Sequence, residues 1–169
     1  MLPFLLEDFQ LLLKDTLDLL CELGKADHTY DMSYWHLPSI EPHWQNRHFQ
    51  DWVALIELLR DAWIALKKID FARSSIVAQS WFQQPYPTFK RLAFFAASKD
   101  SVNPQVWVDW LLLENSWWLW STNTGREVYR LLVLQGNKLD GELQESLEEA
   151  ILRGPPRKMF REDIEEDNW

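Results

Sequence analysis

Apolar residues recur every three or four positions over most of the chain. From Pro3 to Leu23, the residues Leu5, Leu6, Phe9, Leu12, Leu13, Thr16, Leu20 and Leu23 repeat at helical spacing and predict a long helix that Gly24 stops. The pattern breaks across residues 25–48 and resumes from 49 or 50 to Ile69, where Trp52, Val53, Ile56, Leu59, Trp63 and Leu66 form one stripe. Asp70 is placed to cap a following helix that reaches Ser80–Phe82, and Pro85 and Pro87 end it. Thr88 reads as the cap of a short helix running to about Ala97. Pro104 suits the first turn of a helix over Gln105–Glu114.

The next stretch, Asn115–Thr122, holds Trp117, Trp118 and Trp120 and predicts a corner with little regular structure and at least two rings largely buried. Thr124 with Glu127 has the spacing of a capping box before Val128, Leu131, Leu132 and Leu134, and Gly136 reads as the stop. A last amphipathic helix over Asp140–Leu152 ends at Gly154-Pro155-Pro156, with one further turn at Lys158–Arg161.

Helix thus follows helix with no strand pair. The expected fold is all-α: about seven stacked antiparallel helices of the HEAT or armadillo kind, with an irregular bundle as the alternative. Arg91-Leu92 and Arg130-Leu131 are 39 residues apart, within the period of such units. Residues 1–161 form the expected single domain, with a long structured loop at 25–48, and 162–169 form an acidic tail. The loop exceeds ordinary connections. Its Tyr30, Tyr34, Trp35, Leu37, Ile40 and Trp44 predict that rings pin it over helix ends, with an edge left for a partner.

At 169 residues the chain can bury a core without a metal or disulfide staple. Some of its 11 tryptophans can fill a core, but aromatics are also enriched in interface cores, so the count raises the odds of a partner without naming one. The net charge of -9 is concentrated: Glu162, Asp163, Glu165, Glu166 and Asp167 supply five of the acidic groups. A negative balance disfavours a nucleic-acid coat, which needs a concentrated positive face. The single Cys21 suits a reducing, cytoplasmic compartment. No apolar run approaches the length of a membrane span, and the first ten residues lack the basic start of a signal peptide.

Candidate chemistry is sparse. His28, His36, His43 and His48 all fall in the loop, but at spacings of 8, 7 and 5 without cysteines, which favours hydrogen-bonding roles over a metal site. Phosphate-binding, dinucleotide and nucleophile motifs are missing from the sequence, so neither catalytic residues nor a cofactor are expected. Asp109 and Glu114 read as solvated or capping acids. Lys67-Lys68, Lys90-Arg91 and the group Arg153, Arg157, Lys158 and Arg161 read as solvated surface, with Lys90 and Arg91 as a second candidate contact for a partner.

The phrases PSIEPHWQN at 38–46, LIELLRDAW at 55–63, FKRLAFFA at 89–96, WWLWS at 117–121 and ILRGPPRKMFRED at 151–163 resemble the C-terminal helical region of large bacterial anti-phage defence proteins. Those proteins place a sirtuin-like NAD-consuming domain or an ATPase domain ahead of HEAT-like helices. The resemblance implies a non-catalytic scaffold or sensor working with a larger NAD-consuming or ATP-hydrolysing subunit. This chain lacks the effector and nucleotide-binding portions. The expected interaction residues are Tyr30, Tyr34, Trp35, Trp44, Lys90 and Arg91. The alternatives are a helical inhibitor of a toxic partner and a nucleic-acid-contacting module.

Overall fold

A computed structural model describes residues 2–46 and 51–160. Among the described residues there are eight α-helices and no strand. A 3₁₀ turn at Leu2–Leu5 leads into α1 (Leu6–Glu22). The loop contains a single helical turn, α2 (Ser33–His36), and is followed by α3 (Val53–Ile69), α4 (Phe71–Gln83) and α5 (Pro87–Ser98). The chain then forms α6 (Pro104–Trp120), α7 (Gly125–Gln135) and α8 (Gly141–Arg153). The acidic segment 162–169, Arg161, His48 and the expected start of the third helix at 49 or 50 lie outside the described residues.

Several ends follow from local chemistry. The Asp70 carboxylate accepts from the Arg73 amide at 2.9 Å and caps α4. Asn103 does the same for Gln105 at α6, and Asp140 for Leu143 at α8. Gly24 and Gly154 end their helices at φ of 68° and 81°, where a side chain would be strained.

Other ends differ from the sequence reading because a distant partner takes the expected cap. Tyr86, not Thr88, precedes α5, and the Thr88 hydroxyl donates to Asp31 of the loop. Thr124 donates its hydroxyl to Trp118 and Ser121 carbonyls, while Glu127 is drawn into the core, so the capping box does not form. Gly136 does close α7, which ends at Gln135 as expected, but in a right-handed conformation, and the chain tightens into a 3₁₀ turn over Gly136–Lys138.

The corner after Glu114 is also more regular than expected. Glu114, Asn115 and Ser116 are consecutive left-handed residues at φ of 52°, 58° and 67°, after which the chain is helical again to Trp120. A left-handed conformation costs a residue with a side chain about 1–2 kcal/mol, so this reversal needs firm anchors on both sides. Trp118 supplies one: it is buried, whereas Trp117 and Trp120 are half-buried against the core. All three rings are thus more buried than exposed, Trp118 the most.

The helices pack in a nearly linear order: α1 on α3, α3 on α4, α4 on α5, α5 on α7, α7 on α6 and α6 on α8. The interchange of α6 and α7 leaves α5 in the middle, and all twelve of its residues are buried. Rings fill the space around it. Trp63 lies 6.1 Å from Trp81 and 6.0 Å from Phe95, while Phe82 stacks on Trp110 at 4.5 Å. On α1 the core takes Leu6, Leu13 and Leu17, with Phe9 and Leu20 partly buried against it, while Leu5, Leu12 and Leu23, expected inside, are exposed.

Candidate functional site

The loop is fastened by its backbone. The buried Asp31 carboxylate accepts from the amides of Ser33 at 2.9 Å and Thr88 at 2.7 Å and from the Thr88 hydroxyl at 2.8 Å, capping the start of α5 from outside the helix. Arg91, fully buried on α5, donates Nε to Glu127 Oε2 at 3.0 Å, Nη2 to Glu127 Oε1 at 3.2 Å and to the Leu37 carbonyl at 2.6 Å, and Nη1 to the Ser33 hydroxyl at 3.1 Å. Glu127 also accepts from the Ile40 amide at 2.9 Å, and Arg60 of α3 donates to the Ile40 carbonyl at 2.9 Å. A buried ion pair is costly to desolvate, and its remaining donors and acceptors must be satisfied. Here loop backbone satisfies them, so one pair holds α5, α7 and the loop in register.

Lys90 and Arg91, read from sequence as surface cations, are thus internal. Lys90 Nζ donates to the Phe82 and Gln84 carbonyls at the C-terminal end of α4 and sits 4.6 Å above the Phe82 ring. That end of a helix attracts positive charge. Burial lowers the Lys90 pKa to about 8, with Glu114 acting in the opposite direction. The sequence held no local sign of this, because the groups that receive both cations are main-chain carbonyls and a glutamate 36 residues away.

The aromatic candidates divide differently. Trp35 is 62% and Trp44 81% exposed, Tyr30 is also exposed, and Tyr34 is half-buried with its ring 4.9 Å from that of Trp35. Trp44 lies 5.6 Å from the His43 ring. His43, with Glu41 and Pro42, lines one wall of a groove of about 390 Å³ whose other wall is Arg126, Tyr129, Arg130 and Val133 of α7. Arg126 spans it to Gln45 at 3.0 Å, and Glu41 pairs with Lys99 at 2.7 Å and Arg130 at 3.4 Å. Tyr129 and Val133 are exposed. They face Glu41, Pro42 and His43 across this groove, and the sequence reading missed them because both residues sit outside the leucine stripe of α7.

A second hollow of about 370 Å³ lies between Thr29, Trp117, Trp120, Asn123, Lys158 and Phe160. The indole N–H groups of Trp117 and Trp120 and the Asn123 Oδ1 are buried without partners among the described residues. These atoms are closed off from solvent, so they do not present hydrogen bonds to a visiting molecule.

Among the described residues no three His, Cys, Asp or Glu side chains are grouped to hold a metal ion, and no helix is long and apolar enough to cross a membrane. No family model, curated protein or solved structure matches the chain.

Proposed function

We propose that the chain is a non-catalytic, HEAT-like helical module that binds a protein partner through the exposed edge of its pinned loop. The observation that carries this reading is the contrast within the loop: its backbone is held by Asp31, Arg60, Arg91 and Glu127, while Trp35 and Trp44 project into solvent. Large rings on a fixed backbone bind with little further loss of conformational entropy, and tryptophans dominate binding energy at interfaces. The groove beside Tyr129, with Arg126 and Arg130, supplies a polar border for such a contact.

The resemblance to helical regions of anti-phage proteins supports a bacterial defence system in the cytoplasm as the setting, and a larger NAD-consuming or ATP-hydrolysing subunit as the partner. The test is affinity purification of the full chain from its native host, followed by reconstitution with the captured subunit. Replacing Trp35 and Trp44 together by alanine is expected to leave the dichroism spectrum unchanged and to weaken binding at least tenfold, about 1.4 kcal/mol. Undiminished binding by that variant overturns the loop surface. A single small toxin as the tight partner favours an inhibitor role instead.

A further inference from the structure

The outer face of α1 carries two parallel rows of different chemistry. Leu12 and Leu19 stand seven residues apart on it, flanked by Leu5 at the end of the preceding 3₁₀ turn and Leu23 just past the last residue, and Asp8, Asp15 and Glu22 stand seven apart beside them. Seven residues make just under two helical turns, so each set runs along one side of the helix, and the two rows are separated by about 60° around the axis. All of these residues are exposed, Leu12 at 52% and Leu19 at 61%. The inward side is already occupied by Leu6, Leu13 and Leu17. None of the three acids in the row makes an ion pair with a described residue, whereas the neighbouring Glu7 and Asp18 are paired with Arg73 and Lys14.

Scattered exposed leucines are ordinary, but leucines aligned along one side of a helix and rimmed by unpaired acids mark a contact surface. The charge decides what fits it. A second copy of this chain carries the same acid row and the same net charge of -9, so two such faces repel. An anionic lipid or nucleic-acid surface is repelled for the same reason.

We propose that the outer face of α1 docks an amphipathic helix from a protein partner, one that carries apolar residues along one edge and lysines or arginines at seven-residue spacing along the next. This site is separate from the loop surface. Rows at this spacing favour helix-on-helix packing, in which leucines interlock and flanking charges set partner choice. The acids also give the encounter a salt dependence.

The probe is a fluorescent synthetic helix of about three heptads with leucine and lysine rows at matching positions. Its anisotropy with the full chain is expected to saturate one-to-one and to weaken as salt is raised. Asp8→Lys, Asp15→Lys and Glu22→Lys together should weaken binding at least tenfold, and a peptide with glutamates in place of its lysines should restore it. Leu12→Gln with Leu19→Gln should weaken it similarly, while the Trp35 and Trp44 variant binds as the parent does. All the altered α1 side chains are exposed, so an unchanged dichroism spectrum is the folding control. The proposal is overturned if the lysine peptide fails to bind, if lysine and glutamate peptides bind the parent equally, if the leucine variant binds as the parent does, or if sedimentation shows a parent dimer that the leucine variant dissolves.

Discussion

Helices α1 and α5 are both rich in apolar residues, yet they occupy opposite kinds of position. The sequence of α1 is dominated by leucine and buries three of its residues. By contrast, α5 contains Lys90-Arg91 and buries all twelve. The difference lies in what surrounds each helix. Helix α1 packs principally on α3, so a single stripe suffices for its burial. Helix α5 is flanked by α4 and α7 and roofed by the loop, so even its cations must find partners inside. Hydrophobic content therefore does not rank helices by depth. The number of neighbours does, and charge is admitted to the centre where fixed carbonyls and a carboxylate await it.

The strongest way to break this contrast is to remove one partner of the buried pair. Arg91→Met leaves the buried Glu127 without its cation and the Leu37 carbonyl without its Arg91 donor, and a loss of about 3–5 kcal/mol is expected in urea denaturation. The double variant Arg91→Met with Glu127→Leu should recover part of that loss, because no lone charge remains buried. Equal losses in the single and double variants would show that the pair's worth lies in shape alone.

Adjacent leucines of α1 sharpen the comparison on the other side. Leu13 is fully buried and Leu12 is half exposed. Leu13→Ala is expected to cost about 2–5 kcal/mol by leaving a cavity, and Leu12→Ala to stay within about 0.5 kcal/mol. Comparable losses at the two positions would mean that the outer row is covered.

The smallest effect concerns Lys90. Its pKa in the folded chain is about 8 against an ordinary 10.5, so between those values the unfolded chain holds more protons and stability should rise with pH. Lys67, lowered by burial, acts in the same direction. Tyr86 opposes it above pH 10, because burial and its hydrogen bond to Asp18 raise the tyrosine pKa and the unfolded chain ionises first. Thermal melts from pH 8 to 10 should show the rise in the parent and a smaller one in Lys90→Met, and a flat parent profile would contradict the burial of that ammonium.

The helical succession was legible in the sequence because its signals are local: Gly24, Asp70, Pro87, Pro104, Asp140 and Gly154 act within their own turn. Thr88 and Glu127 do not cap for the opposite reason, since Asp31 and Arg91 compete for them across the fold, and Thr124 turns back to the carbonyls of the preceding corner. The loop's pinned backbone was legible in outline from its rings and prolines. The polar groups that fasten it were not, because sequence spacing gives no measure of which distant carboxylate meets which guanidinium. On α1 the periodicity of leucine located a helix, yet leucines on two faces made the inward one ambiguous.

The bonds of Arg91 also bear on the order of folding. They reach Glu127, Leu37 and Ser33 across 36, 54 and 58 residues of chain. Each joins two segments far apart in the chain, and each such closure costs chain entropy before any contact repays it. If these long-range closures come late in folding, Arg91→Met should speed unfolding far more than it slows folding, which stopped-flow rates in urea would read.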